Sequence, residues 1–349
     1  MTMNIPPELE RLMREAVERD ASDLFLIPGE PATFRVNGLI ERLERDPFTA
    51  QEITGIAVAI FGNENLTRVG NETGVIRRSC QLDDQIYGRV SLARAYGDYT
   101  ISVARVGMAF MGVDELRLPT PMVDAILAPN GLVVLCGGVG SGVYTCAYSL
   151  LDHHNAQCAD HICTVEPMVF GRMIPKRSIV QQREIGVDVP DCLTGISAAM
   201  NQDPDLLYVS EIKSLEELQA CITAAVTGHL VLTVLNLRIS PEAAVERLID
   251  IFPEDIRDVS RKDLAKVLRC VSSQRLLRKD GGGREAAFGV LVPDDEMRRA
   301  IAEGRDVMDR KGPMPDGYQS IVDDIGRLRD EGVISKETAS KTLDELHIL

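Results

Sequence analysis

Gly131-Leu132-Val133-Val134-Leu135-Cys136-Gly137-Gly138-Val139-Gly140-Ser141-Gly142-Val143-Tyr144-Thr145 is the stretch that decides the fold class. Gly131 to Cys136 is a continuous apolar run, the pattern of a strand covered on both faces. A glycine-rich turn follows, and a helical pattern then runs from about Tyr144 to Asp152. Strand, glycine turn and helix in this order are the setting of a phosphate-binding loop, G-x-x-x-x-G-K-[ST]. Gly137 and Gly142 hold its two outer glycine positions, with Gly140 and Ser141 between them. Val143 stands where the pattern has lysine, and Tyr144 where it has serine or threonine. The lysine supplies charge to the outer phosphates and the hydroxyl ligates Mg²⁺. Valine offers no donor, and a tyrosine ring is bulky beside a metal. What survives is a set of backbone N–H groups at a helix N-terminus, which still favours an anion. On the loop alone, a strand-to-helix turn holding no ligand is an equal alternative.

Downstream, Leu206 to Ser210 and Leu230 to Leu235 are two more buried-strand runs, the first preceded by Asp203-Pro204-Asp205. Apolar strands alternating with helices argue for a mostly parallel α/β core. From about Pro253 to the end the pattern is mainly helical, broken by Gly281-Gly282-Gly283. Upstream, Pro6-Pro7 opens a helix that places Leu9, Leu12, Met13, Ala16 and Val17 on one face. Strands follow at Leu24 to Ile27 and through Phe34 and Val36, with turns at Pro28-Gly29 and Asn37-Gly38. Further strands are expected around Gly74 to Arg78, Ile86 to Arg94 and Tyr99 to Val106, so this part reads as a small antiparallel α+β domain. Gly107 to Pro121 reads as a linker.

The chain has 349 residues, long enough for two domains, with 45% hydrophobic and 26% charged residues, an ordinary globular balance. A net charge of −15 weighs against a nucleic-acid partner, which calls for a basic face. Met1 to Glu10 lacks the pattern of a signal peptide, and no apolar run approaches the roughly 20 residues that span a bilayer. A cytoplasmic location is expected. None of the eight cysteines forms a C-x-x-C pair, so they are expected to be small buried hydrophobes, and no metal site is expected.

Short words spread along the chain carry a resemblance. They are Ala21-Ser22-Asp23-Leu24, Arg35-Val36-Asn37-Gly38, the arginines Arg89, Arg94 and Arg105, Gln182-Arg183-Glu184, Asp203-Pro204-Asp205, Thr227-Gly228-His229-Leu230, Phe252-Pro253, and Met297-Arg298 with Glu303-Gly304-Arg305. In this order the sequence resembles the retraction ATPase (PilT) branch of the type II/IV secretion ATPase superfamily, over nearly its whole length. The resemblance implies a small N-terminal PAS-like α+β domain at 1–107, a linker at 108–120, a RecA-like P-loop core at 121–275 and a helical C-terminal region at 276–349. It implies a hexamer, bound ATP or ADP with Mg²⁺, and work beside the inner-membrane platform of a type IV pilus in twitching motility.

Against that family the departures become legible. Its "Asp box" resembles T-I-E-D-P-I-E, and here Thr164-Val165-Glu166-Pro167-Met168-Val169 lacks the aspartate, with Val169 at the second glutamate. Glu211 matches the acidic residue after the Walker B strand, and Ser210 replaces a glycine. In the "His box", His229 matches and Asn236 stands at the second histidine. By resemblance Glu211 and Glu166 are remnant catalytic acids. Gly137, Gly140, Ser141, Gly142, Thr145, His229, Arg89, Arg94 and Arg105 are a remnant nucleotide site, the arginines reaching a neighbour's nucleotide. The plain alternatives are a strand-end acid for Glu211, a hydrogen-bonded core histidine for His229 and solvated charges for the arginines. The expected protein is a non-hydrolysing paralogue with nucleotide bound weakly or not at all. It would assemble with itself or with an active retraction ATPase, peripheral to the inner membrane through its partners. A divergent active ATPase, with Lys176 or Lys213 replacing the missing lysine, and a small-molecule-binding adaptor are the alternatives.

Overall fold

The computed structural model describes residues 5–36, 39–69, 71, 73–82, 87–106, 110–280, 282–310 and 312–347. The chain divides into two units, Met1–Ala109 with Phe170–Arg172, and Phe110–Val169 with Met173–Leu349.

In the first unit, helix α1 (Pro7–Glu18) starts on a proline, whose fixed φ suits the first turn. It buries Leu9, Leu12, Met13 and Ala16, while Val17, expected on the same face, is exposed. Strands β1 (Ala21–Leu26), β2 (Thr33–Val36) and β3 (Leu39–Arg42) follow, then α2 (Ala50–Phe61) and the short α3 (Asn63–Leu66). A capping box of Thr49 and Glu52 closes the α2 N-terminus. Strands β4 (Val75–Gln81), β5 (Tyr87–Ala95) and β6 (Asp98–Val106) complete an antiparallel sheet of order β3-β2-β1-β6-β5-β4. Its strands alternate: in β5, Gly88, Val90 and Leu92 point inward. The expected Asn37-Gly38 turn and the ends of two expected segments, Ile86 and Gly107, lie outside the described residues.

The second unit opens with Phe110, Val113, Leu116 and Leu118, which pack against a buried cluster. Within the segment read as a linker, 108–120, these four residues rest on the core of the second unit, while Met111, Gly112, Asp114, Glu115 and Arg117 are exposed. Its elements are α4 (Thr120–Ala125), β7 (Gly131–Cys136), α5 (Val143–Gln157), β8 (His161–Glu166), β9 (Ile179–Glu184), α6 (Cys192–Met200), β10 (Leu206–Val209), α7 (Leu215–Val226), β11 (Leu230–Leu235), α8 (Pro241–Asp250), α9 (Glu254–Val267), β12 (Leu268–Arg278), β13 (Arg284–Leu291), α10 (Asp295–Glu303), β14 (Tyr318–Gln319), α11 (Ile321–Asp330) and α12 (Lys336–His347). The sheet order is β14-β13-β12-β7-β11-β10-β8-β9, parallel from β12 to β9 and antiparallel at β13 and β14. The C-terminal part is thus less helical than expected. β12 and β13 are long strands, and β12 pairs directly with β7. Among the described residues no helix is long and apolar enough to cross a membrane.

Candidate functional site

A parallel sheet delivers the ends of its strands to one edge, and the order β7-β11-β10-β8 places four of them side by side. The glycine loop leaves β7, Asn236 follows β11, Glu211 follows β10 by two residues, and Glu166 ends β8. This topology brings together words that lie up to 92 residues apart in sequence.

The loop is built so that little but glycine fits at its start. A Cβ on Gly137 would meet Ser141 Oγ at 2.3 Å, and Gly142 has φ of +82°, a left-handed conformation at the N-terminus of α5. The Gly137 N–H donates to Leu235 O (3.1 Å), and the Ser141 N–H to Gly138 O (3.0 Å). Gln274, on β12, donates from Nε2 to Ser141 O (2.9 Å) and fixes the loop from the other side. Val143 is 2% exposed and belongs to the core, whereas Thr145 is exposed.

Tyr144, Asn236, Glu211 and Lys213 form one network. Asn236 Nδ2 donates to the Tyr144 hydroxyl (3.0 Å) and to Glu211 Oε1 (2.8 Å), and Lys213 Nζ lies 3.1 Å from Glu211 Oε2. Burial, with the Glu211 carboxylate nearby, raises the Tyr144 phenol above its ordinary value, so it stays protonated at neutral pH. The two residues read from sequence as departures, Tyr144 and Asn236, are therefore bonded to each other, and Asn236 also to Glu211. The residues do not fit Mg²⁺. At the position after Val143 the chain offers a half-buried phenol, Tyr144, and both Glu211 oxygens already have partners. Small hard cations require free oxygen ligands.

Glu166 is fully buried, accepting from Tyr148 Oη (2.6 Å) and Thr164 Oγ1 (2.6 Å). Burial pushes its carboxyl up to about 7, against the opposing effect of these hydrogen bonds. Val169 is buried, and its N–H donates to Glu184 Oε2 (3.3 Å).

His229 is not brought to this edge. It precedes β11, and its carbonyl accepts from Gly131 N–H at the start of β7. One strand length of about 20 Å separates the two edges of the sheet. Its Nδ1 lies 3.1 Å from Ala224 O and 3.3 Å from Thr227 Oγ1, as a local structural histidine would. Arg89, Arg94 and Arg105 belong to the other unit. Arg94 bonds to Gly97 O (2.8 Å) and lies over the Tyr99 ring, and Arg105 pairs with Asp20 (2.6 Å). Lys176 is committed to Asp152 (2.7 Å), on α5. Sequence reasoning missed Arg238, whose side chain passes so close to Gly138 that a Cβ there would meet its Nε at 2.6 Å. A cation two residues beyond Asn236, just past a buried strand, was the available signal.

Strand, glycine loop and helix at the head of a mostly parallel sheet define the P-loop class of α/β proteins. The chain belongs to the type II/IV secretion system protein family, whose model matches residues 101–286. It is 30% identical over 298 residues to the uncharacterized protein YggR of Escherichia coli (strain K12), covering 85% of this chain and 90% of that one. It is 28% identical over 348 residues to the type IV pilus retraction ATPase PilT of Pseudomonas aeruginosa (strain PAO1), covering 95% and 97%. Among solved structures it resembles the pilus retraction motor PilT with bound ADP, with a TM-score of 0.85 at 28% identity over 95% of this chain and 96% of that one.

Proposed function

We propose that the chain is a PilT-like subunit of a type IV pilus or a related secretion motor that does not hydrolyse ATP and acts as a structural or regulatory partner. The observation that carries this is the Tyr144–Asn236–Glu211–Lys213 network. Phosphoryl transfer depends on positioning and on charge neutralisation. Here the lysine is valine, the metal-ligating hydroxyl is a bonded phenol, Glu211 is engaged by two partners and Val169 stands at a carboxylate position. Removing one stabilising donor costs about 10²–10³ in rate, and several losses at one site leave no useful turnover. Glu211 and Glu166 then act as structural remnants. The organisation we propose is an N-terminal domain over 1–107, a P-loop core from 121 and a C-terminal region from 276. Chains assemble as a hexamer alone, or in a mixed ring with an active paralogue, on the cytoplasmic face of the inner membrane.

Restoring one group alone tests this. With Mg²⁺ and ATP, neither the wild-type chain nor Val143→Lys releases phosphate above a protein-free blank, because the network still holds Tyr144 and Glu211. Phosphate release by Val143→Lys would mean that the missing lysine alone explains the loss, and would contradict the account.

A further inference from the structure

At the sheet edge opposite the glycine loop, the end of α5 and the turn into β8 bring a histidine, a cysteine and an aspartate together. His154 and Cys158 stand one helical turn apart, and Asp160 follows just before β8. One ligand atom from each lies within 4.8 Å of the other two. His154 is 2% exposed, and its Nδ1 lies 2.7 Å from Ile126 O. A carbonyl oxygen only accepts, so Nδ1 carries a proton and donates it there. The other ring nitrogen, Nε2, lies 2.8 Å from Asp160 Oδ2. A lone pair facing a carboxylate at that distance calls for a shared proton or a cation between them. A backbone carbonyl on the far nitrogen is the usual way in which a metal-ligating histidine is oriented.

The turn that carries the other two residues is held as firmly. Ser178 Oγ donates to Cys158 O (2.6 Å) and accepts from the Asp160 N–H (3.1 Å), and the Ile179 N–H donates to Asp160 O (2.9 Å). Cys158 and Asp160 are partly exposed, so an ion can enter from solvent. The carbonyl end of α5 adds a field that favours a cation.

We propose that His154, Cys158 and Asp160 bind one Zn²⁺, with water in the fourth position. Nitrogen, thiolate sulfur and carboxylate oxygen are zinc donors, whereas Mg²⁺ and Ca²⁺ take oxygen. Zinc at about 2.0–2.3 Å from each ligand sets the donor atoms about 3.3–3.8 Å apart. The Cys158 and Asp160 side chains reach that spacing by rotation while His154 stays in place. The ion then ties the end of α5 to the start of β8 and, through Ser178, to the residue before β9. It lies a strand length from the loop edge, and its binding does not depend on whether ATP is hydrolysed.

Titration of the untagged full chain with Co²⁺ and Zn²⁺, in a non-chelating reductant, tests this. Co²⁺ should give a sulfur-to-cobalt charge-transfer band that saturates at one equivalent and is displaced by Zn²⁺. Zn²⁺ should raise the melting temperature, as a ligand of the folded state does. Cys158→Ser should lose the band and the zinc-dependent rise. Asp160→Asn should weaken zinc binding by about 10–100-fold or more, the cost of disturbing even an outer partner of a metal site. Absence of the band with Co²⁺ in excess overturns the proposal and leaves His154 and Asp160 sharing a proton only. A band that survives Cys158→Ser also overturns it, as does an equal zinc-dependent rise in wild type and Cys158→Ser, or unchanged zinc affinity in Asp160→Asn.

Discussion

Glu166 is an acid held where no water reaches it. Its carboxyl has an ordinary value near 4.5 in the unfolded chain and about 7 in the fold, because burial penalises the charge more than Tyr148 and Thr164 can offset. The folded state therefore holds this proton more tightly. The stability linked to it is complete below about 4.5, declines as pH rises, and is gone above about 7. A shift of this size corresponds to about 3 kcal/mol. Glu166→Gln cannot ionise, so its stability lacks this component. The melting temperature of wild type minus that of Glu166→Gln should fall steadily from pH 4.5 to 7.5, then level off. A difference constant across that window would show that Glu166 is not a buried acid. Six of the eight cysteines are buried, and Cys158 and Cys192 are partly exposed. Burial, with a smaller contribution from neighbouring thiols and, at Cys221, from Glu217, raises Cys136, Cys146 and Cys221 well above the ordinary thiol range, so they pack as small hydrophobes.

Three elements meet in the Tyr144 network: the first turn of α5, the end of β11 and the turn after β10. If Asn236 joins them, Tyr144→Phe and Asn236→Ala should be non-additive. A double-mutant cycle by urea denaturation should give a coupling of about 0.5–1.5 kcal/mol, and a value within error of zero would mean that the contact contributes nothing. Much of this architecture was legible from sequence. β7 and β10 are runs of apolar and aromatic residues and β11 is interrupted only by the buried Thr233, because both faces of each strand are covered. β12 was not legible. Its Ser272, Ser273 and Gln274 are polar yet buried, and Gln274 is occupied in holding the glycine loop. A strand whose polar residues serve a loop more than a hundred residues away shows no hydrophobic period. The departures at Tyr144 and Asn236 could be read singly, but their bond to each other needs the strand order. His229 was misplaced for a simpler reason. A residue before a parallel strand lies at the edge opposite to the loops that follow the strands.

At the scale of the whole molecule, the chain forms two units, each with its own sheet and core. A ring built from head-to-tail contacts needs two complementary surfaces on every chain. In the proposed assembly the N-terminal domain of one subunit packs on the C-terminal domain of the next, by protein contacts alone. Light scattering at micromolar concentration should give a hexamer, either alone or on adding an active paralogue, with a mass unchanged by ATP. A strict monomer under all these conditions would reject the ring and favour a small-molecule adaptor.

The most direct test of the central claim is a single-turnover experiment. Protein in excess over labelled ATP, with Mg²⁺ at neutral pH, is followed for hours beside Glu211→Ala. Neither chain should convert ATP to ADP faster than the protein-free blank, and their traces should coincide. Conversion by the wild type at about one per second or faster, the ordinary enzyme range, and its loss in Glu211→Ala would show that the site is an active ATPase.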